Sequence, residues 1–443
     1  MATKRKYPVG IQSFESLRKE GYVYVDKTPL VYKMITEGMP YFLSRPRRFG
    51  KSLLLNTLAA VFEGRRELFE DFTTEDGIEQ PQLFIATTDW RWEKHPVLRF
   101  DFSKSNLTTL EKLDNYINST LQAFEKRYDV AQVDKDVSLR MVNIIHAAER
   151  QTGRKVVVLC DEYDNVMLHS LGDAPNMVAV RERFQDLFAP LKSEDEHLRF
   201  VFITGISKFS QMGIFSKLNN LQNISMVAAF DALCGISEEE LTTQMRPDLE
   251  SLGEANGLSY EEQLADLKRM YDGYHFSRKK TDIYNPFSLV NVFKTQELNS
   301  YWFASGTSSA VIELLCQMPP IALKDIDGRR CPVTAFDLSF DSYQDPLPAL
   351  YQSGYLTIKD YQPDRRMSEE PTARGQSDLV LLMPKGIYVI EIKYDQSAEE
   401  ALDQIDRKGY AGKYRPDGRP VTNVGISFSS EERNITEWKS IAK

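Results

Sequence analysis

Nine consecutive residues have the types and spacing of a phosphate-binding loop. Residues 44–52 read SRPRRFGKS, which fits the pattern G-x-x-x-x-G-K-[S/T] everywhere except at its first position, where Arg45 replaces glycine. In such a loop, backbone N–H groups and the start of the following helix surround the phosphates. Lys51 would contact the β- and γ-phosphates, and Ser52 would bind Mg²⁺. The alternative is a strand-to-helix turn that contains Gly-Lys-Ser by chance. We predict a nucleotide site with contacts from Arg48, Phe49, Gly50, Lys51 and Ser52.

Three arginines in this loop, Arg45, Arg47 and Arg48, carry charge that a triphosphate would attract. Their guanidinium groups could neutralise the phosphates or act on the nucleotide of a neighbouring subunit. The alternative is solvated loop charge. Among the three we favour Arg48 as a nucleotide contact, because it is nearest to Gly50.

Two acids end an apolar run further along the chain. Residues 156–160 read VVVLC, and Asp161 and Glu162 follow them. A Walker B strand ends in this way: Asp161 would bind Mg²⁺ through water, and Glu162 would polarise the attacking water. Along the chain, a complete strand at 97–102 lies between the loop strand and this one, an arrangement similar to the P-loop ATPases with an added central strand and a catalytic glutamate. The next strand ends in Thr204, which is either a γ-phosphate sensor or a structural hydroxyl.

Short apolar runs alternate with helical patterns over the first half of the chain, which predicts an α/β fold with a mostly parallel sheet. We assign residues 1–235 to a P-loop NTPase sheet domain and residues 236–360 to a mainly helical subdomain. Residues 361–369 are polar and proline-containing, which indicates a linker. Residues 370–443 then form a small second α/β unit.

The composition excludes several classes of protein. The chain has 443 residues and a net charge of −9, which argues against a protein that coats nucleic acid through bulk electrostatics. Four well-separated cysteines form no C-x-x-C pair, so neither a zinc ribbon nor a disulfide framework is expected. Apolar runs are strand-sized. We therefore expect an intracellular, cytoplasmic protein without a membrane span.

Several further segments indicate a family that the sequence resembles. The chain resembles the bacterial and archaeal family that pairs an AAA-ATPase-like domain with a C-terminal PD-(D/E)XK nuclease-like domain. The resemblance covers nearly all of residues 7–361, and it implies ATP and Mg²⁺ as cofactors. The family's loop also has arginine at its first position, as Arg45 does here. Besides the loop and the strand-end acids, the resemblance is carried by YVDKT at 24–28, TG at 204–205, FSKLNN at 215–220, YDGY at 271–274, YNPFS at 284–288, YWF at 301–303 and YQSGYLTI at 351–358.

The C-terminal residues are similar to a PD-(D/E)XK core. Asp378 would open one strand and Glu391 and Lys393 would lie on its hairpin partner, with Gln404 and Tyr410 on the helix that follows. In such a core Asp378 and Glu391 hold Mg²⁺, and Lys393 orients the attacking water. A cross-strand salt bridge is the alternative explanation of a Glu-x-Lys pair.

This nuclease-like unit is shorter than the family pattern. About a dozen residues separate Ile358 from Glu370, which leaves no room for the helix that packs on the sheet, and the family's Gly-Arg-x-Asp is GQSD at 375–378. We therefore expect an uncovered sheet face, weak or absent cleavage, and completion by the ATPase helices or a second copy. Our leading hypothesis is a Mg²⁺-dependent ATPase coupled to a nuclease-like unit that acts on or binds DNA. The alternative is an ATP-switched signalling or interaction protein with an inactive scaffold.

Overall fold

A computed structural model describes most of the chain. The described residues are 5–38, 40–103, 107–132, 135–169, 174–206, 220–271, 273–302, 331, 336, 347–360, 367–368, 371–372, 375–376, 379–383, 386–429 and 434–442. They fall into two compact units, Met1–Asp360 and Tyr361–Lys443. The predicted sheet domain and helical subdomain therefore both lie in the first unit. In the described part of the chain, no helix is long and apolar enough to cross a membrane.

The first unit contains thirteen described helices and nine described strands. The strands are β1 (Tyr41–Ser44), β2 (Phe72–Thr73), β3 (Glu79–Gln80), β4 (Val97–Asp101), β5 (Val156–Asp161), β6 (Leu198–Gly205), β7 (Gln222–Asn223), β8 (Ile236–Ser237) and β9 (Ile283–Tyr284). The helices are α1 (Phe14–Lys19), α2 (Thr28–Glu37), α3 (Lys51–Phe62), α4 (Leu110–Arg127), α5 (Val137–Thr152), α6 (Asn165–His169), α7 (Ala174–Phe188), α8 (Pro190–Ser193), α9 (Glu238–Thr243), α10 (Arg246–Asn256), α11 (Tyr260–Tyr271), α12 (Pro286–Thr295) and α13 (Leu347–Gln352).

Five of these strands form one parallel sheet, in the order β4-β5-β6-β1-β7. The parallel α/β fold predicted from the sequence is confirmed. β4 follows β1 along the chain but lies at the edge of the sheet beyond β5, and the central strand between β1 and β5 is β6. Strand order depends on crossover connections, which local sequence patterns do not encode. The carboxyl ends of β1, β5 and β6 consequently share one edge.

Both faces of this sheet are buried, which explains why its strands read as continuous apolar runs. Alternate residues of β5 point to opposite faces, so Val158 and Cys160 pack with α4, α5 and α7, whereas Val157 and Leu159 pack with α2 and α3. The first helix after β1, α3, is itself almost entirely buried. The sheet edge is therefore held rigidly by two apolar layers.

Helices predominate after β8, in keeping with the predicted helical character of this region. The first helical stretch after β8 is divided into α9 and α10, because Pro247 occupies the first turn of α10 and cannot donate a backbone hydrogen bond within a longer helix. Apolar side chains of α9 to α12 form a core of their own around Leu241, Leu249, Leu267 and Leu289.

The second unit contains a five-stranded sheet with one helix. Its elements are β10 (Met367–Ser368), β11 (Pro371–Thr372), β12 (Gly375–Gln376), β13 (Leu379–Met383), β14 (Gly386–Tyr394), α14 (Ala398–Lys408), β15 (Val421–Ser429) and β16 (Asn434–Ala442). The sheet order is β10-β13-β14-β15-β16. The predicted hairpin of β13 and β14 is present, and α14 connects β14 to its parallel neighbour β15. Strand β10 lies within the segment expected to be a linker.

Only one face of this sheet is covered by α14. The helix packs on Ile387, Val389 and Val421, while the intervening residues of β14 point to the other face. There, the side chains of Tyr394 and Trp438 are 67% and 66% exposed. Ile390, on the same face, is only 8% exposed, so the face that α14 does not cover is exposed in part and not entirely open.

Gly425 sets the distance between α14 and β15. A Cβ at this position would lie 2.1 Å from the Ala398 carbonyl oxygen, whereas one at Gly412 would meet nothing within 4 Å. We predict that Gly425→Ala destabilises the second unit by about 1–3 kcal/mol, the usual cost of overpacking. Hydrogen exchange of the β14 and β15 amides should accelerate in Gly425→Ala and not in the control Gly412→Ala. Equal exchange rates in the two variants would contradict this close-packing argument.

Candidate nucleotide site

The phosphate loop connects β1 to α3 through a left-handed turn. Gly50 precedes the helix with φ of +92°, and Arg48 also has a positive φ of +67°. A Cβ at Gly50 would meet nothing within 4 Å, so glycine is favoured there by backbone conformation and not by space. No described side chain caps the start of α3. Its first N–H groups therefore remain available to an anion.

Lys51 lies at the start of α3 with its ammonium group folded onto the loop. The Nζ atom donates hydrogen bonds to the carbonyl oxygens of Arg45, at 2.9 Å, and Pro46, at 3.1 Å. Both acceptors belong to the loop, so the positive charge stays where phosphates are expected. Ser52, the next residue, is half-buried in the first turn of α3.

Arg45 is buried and holds the loop to a neighbouring segment. Its guanidinium donates to the carbonyl oxygens of Ser44 at 2.9 Å, Ser225 at 2.7 Å and Phe230 at 3.2 Å. The group also lies 4.1 Å from the centre of the Phe276 ring, and burial lowers its pKa. Arg45 therefore fits neither alternative considered for the loop arginines, because its terminal guanidinium nitrogens donate to backbone carbonyls and its side chain is buried.

The other two predicted contacts of the loop differ in exposure. Arg48 is exposed and lies 5.0 Å from the centre of the Phe287 ring. Phe49 is buried edge-on against Tyr274 and Phe276, with ring centres 4.9 and 5.4 Å away. Its side chain therefore anchors the loop in the core, and only its backbone is available to contact a ligand.

Asp161 is fully buried at the end of β5. Its Oδ1 atom accepts a hydrogen bond of 2.7 Å from the Thr204 hydroxyl, at the end of β6. Its Oδ2 atom is also buried and has no hydrogen-bond partner among the described residues. An unpaired carboxylate oxygen is costly to bury, so the site fits a cation. Thr204 is thereby placed as the partner that orients Asp161.

Glu162 follows Asp161 with a backbone that few side chains adopt. Its φ is +50°, and its N–H donates to the Thr204 hydroxyl oxygen at 3.4 Å. Left-handed conformations of residues other than glycine are enriched at functional sites. The side chain of Glu162 is only half-buried, so it can approach a ligand at the sheet edge.

Further acids that the sequence analysis gave no role surround Asp161. Asp101 lies beside it in the register of β4 and β5, and Asp164 accepts a 2.8 Å hydrogen bond from the Ile206 N–H. Burial, and then the Asp161 and Asp101 carboxylates, raise the pKa of the Cys160 thiol well above its usual value. The position of Asp101 at a strand end was the signal that could have identified it.

An apolar cavity adjoins Gly50 and was not predicted. Its walls come from the segment before α2, from the start of α3, and from the region of β8 and α12, and they include Val25, Leu53, Leu233, Ile236, Pro286 and Val290. These residues are far apart along the chain; Val25 and Pro286 lie in the YVDKT and YNPFS segments, but no pattern indicated that those segments meet at a cavity. A planar apolar group attached to phosphates in the loop would find a complementary surface there.

The second unit brings three of its predicted residues together. Lys393 Nζ lies 3.5 Å from Glu391 Oε1 and donates to Gln404 Oε1 at 2.6 Å, and Gln404 also donates to Glu391. Glu391 is buried. The contact joins neighbours on one strand and the facing helix, and not a cross-strand pair. Asp378 lies outside the described residues; Leu379, next to it in the sequence, pairs with Ile390.

Comparisons with known proteins agree with this architecture. Residues 8–215 match the family model described as Predicted AAA-ATPase, and residues 362–438 match the PD-(D/E)XK nuclease superfamily. An uncharacterised protein in the vnfD 5′ region of Azotobacter chroococcum mcd 1 is 28% identical over 533 residues, covering 98% of each chain. That alignment exceeds the 443 residues here by 90 positions, so the relative has segments without a counterpart in this chain. No solved structure matches the chain.

The role found for Arg45 can be tested by its effect on stability. We predict that Arg45→Met lowers the free energy of unfolding by about 3 kcal/mol, because several buried carbonyls lose a charged donor. Arg47→Met, at a half-buried loop position, should change it by less than about 0.5 kcal/mol. Urea denaturation of both variants measures the difference. Similar stabilities of the two variants would mean that Arg45 does not hold the loop.

Proposed function

We propose that this chain is a Mg²⁺-dependent ATPase whose nucleotide cycle is coupled to a nuclease-like unit that acts on or binds DNA. The observation that carries the proposal is the buried Oδ2 atom of Asp161, which has no hydrogen-bond partner in the described part of the chain and lies at the sheet edge that also bears the phosphate loop. A buried carboxylate and a loop of available N–H groups together suit a metal-bound polyphosphate.

Each residue of the site has a distinct role in this proposal. The N–H groups at Phe49 and Gly50 and the start of α3 bind phosphates, with Lys51 and Arg48 supplying positive charge. Ser52 and Asp161 hold Mg²⁺, which supplies charge stabilisation at the phosphates when bound. Glu162 accepts the proton of the attacking water. Thr204 positions Asp161 through their 2.7 Å hydrogen bond, in place of the sensor role first expected.

The apolar cavity beside Gly50 is proposed as the site of the adenine ring. Its walls combine the start of α3 with residues from the helical part of the unit, such as Ile236 and Pro286. A ligand that fills the cavity would contact both parts at once. This arrangement offers a physical route by which bound nucleotide biases the position of the helical part.

In the second unit, we propose that Glu391, Lys393 and Asp378 form the nuclease-like site, with Mg²⁺ bound by the two carboxylates. The burial of Glu391 next to the Lys393 ammonium supports this assignment. The exposed Tyr394 and Trp438 side chains support a homo-oligomer in which a second copy covers the open sheet face.

A second function has its own support. Lys393 is bound by Gln404, and the relative from Azotobacter chroococcum contains segments that this chain lacks. Both observations favour a protein in which ATP acts as a conformational switch and the second unit is a binding scaffold. Slow ATP turnover with tight ATP binding and no DNA cleavage would favour this alternative over the leading proposal.

The two strand-end acids should be separable by kinetics. We predict that Glu162→Gln keeps ATP bound but slows hydrolysis by a factor on the order of 10²–10⁴, the usual contribution of a positioned base. Asp161→Asn should also weaken Mg²⁺-dependent binding of ATP, because the Asp161 carboxylate is the proposed metal ligand. Nucleotide affinity and single-turnover rates measure both effects. If both variants changed ATP affinity and the hydrolysis rate only mildly and equally, the two acids would have a structural role and not a catalytic one.

Cleavage tests the second unit. We predict that the full chain cuts DNA weakly or not at all with Mg²⁺, since the core is shortened. Glu391→Ala would remove any residual activity of this site, whereas Glu399→Ala, an exposed position of α14, would not. Gel assays on linear and supercoiled DNA measure both. Rapid cleavage that disappears in Glu391→Ala would contradict the prediction and establish an active nuclease.

A further inference from the structure

Two histidines and a glutamate meet on the surface of the first unit, away from the nucleotide site. His146 lies on α5, while Glu194 and His197 lie in the turn between α8 and β6. His146 Nε2 is 2.6 Å from Glu194 Oε2, and His197 Nε2 is 4.0 Å from the same oxygen. One ligand atom from each of the three residues lies within 4.8 Å of the others.

Neighbouring groups hold these side chains in position. The Nδ1 atom of His197 is 2.5 Å from Glu149 Oε2, one turn along α5 from His146, and its Nε2 atom then lies between Glu196 Oε1, at 3.5 Å, and Glu194 Oε2, at 4.0 Å. The Ser193 hydroxyl donates to Glu194 Oε1 at 3.1 Å, which leaves Oε2 toward the histidines. The turn is closed by a 2.9 Å hydrogen bond from the His197 N–H to the Glu194 carbonyl. A carboxylate behind a ligating histidine is typical of zinc sites.

The observed spacing is near that of a metal site. Zinc binds imidazole nitrogen and carboxylate oxygen at about 2.0–2.2 Å, so tetrahedral ligand atoms lie roughly 3.4 Å apart. The three atoms here need shifts of no more than about 1.5 Å to reach that spacing. His146, Glu194 and His197 are 43%, 15% and 28% exposed, so an ion can enter and the side chains can adjust. The acids Glu149 and Glu196 add negative charge around the histidines.

We propose that His146, Glu194 and His197 bind a divalent transition metal, with Zn²⁺ as the ion their chemistry suits best. Two imidazoles and one carboxylate are borderline ligands that favour Zn²⁺ over Mg²⁺. Three protein ligands leave one position for water. This metal is separate from the one proposed at Asp161.

The site lies at the opposite end of the sheet from the nucleotide. His197 immediately precedes β6, whereas Thr204 and Gly205 end that strand roughly 23 Å away at 3.3 Å per residue. A bound ion would join α5 to the amino end of β6, the strand that separates the phosphate-loop strand from Asp161. The site therefore stabilises the sheet and does not take part in hydrolysis.

The test measures zinc binding by the full chain without an affinity tag, after chelator treatment and in excess Mg²⁺ to occupy the nucleotide-site metal. Calorimetry should show one tight Zn²⁺ per chain, and zinc should raise the melting temperature, because it binds only the folded state. His146→Ala and His197→Ala should each weaken binding more than about 100-fold, and Glu149→Gln roughly 10-fold.

The control is His275→Asn, which removes a histidine paired with a carboxylate, Asp282, in another part of the unit. It should bind zinc as the unmodified chain does. If His197→Ala fails to fold, the exposed His146 variant alone decides the question. The proposal is overturned if the unmodified chain binds no zinc in excess Mg²⁺, or if His146→Ala binds it unchanged. ATP hydrolysis is not the readout, so failure here leaves the proposed function standing.

Discussion

A buried carboxylate, of whose two oxygens the described residues pair only one, is the constraint around which the first unit is arranged. Every residue of β5 is buried, so Asp161 ends a strand that has apolar layers on both sides. Thr204 on the next strand binds one oxygen. The other oxygen is left for a cation, which is the simplest way to offset the cost of placing charge there.

The phosphate loop lies at the same edge of the sheet, and two of its own side chains hold it in place through buried contacts. Arg45 binds carbonyls of the segment that follows β7, and Phe49 packs into the aromatic core with Tyr274 and Phe276. Neither side chain is left to meet a ligand. Fixed in this way, the loop presents backbone N–H groups without reorganisation, which is the form of electrostatic stabilisation that phosphoryl transfer requires.

Local motifs allowed much of this site to be predicted from the sequence. Lys51, Ser52 and Asp161 lie at element ends that short patterns define, and the parallel α/β class follows from alternating apolar runs. The role of Arg45 in holding the loop was not among the alternatives considered, because its carbonyl partners are about 180 residues away and have no sequence signature. The position of β6 between β1 and β5 likewise depends on crossovers that periodicity does not reveal.

The apolar cavity and the histidine cluster are two further features that the sequence did not predict. Both are built from residues of distant segments, and no spacing pattern indicates that these segments meet. In the second unit the reverse holds: the hairpin of β13 and β14 was predictable because its turn is short and its strands are adjacent in sequence. The exposed part of the sheet face could be predicted from the length of the segment between Ile358 and Glu370, which is too short to form a covering helix.

The most direct test of the central claim is Mg²⁺-dependent ATP hydrolysis by the full chain and by Lys51→Ala, with circular dichroism to show that both are folded. Removing the ammonium takes away the positive charge next to the loop carbonyls of Arg45 and Pro46. We predict ATP turnover by the unmodified chain that requires Mg²⁺ and is lost in Lys51→Ala. Unchanged turnover in a folded Lys51→Ala protein would contradict the assignment of the nucleotide site.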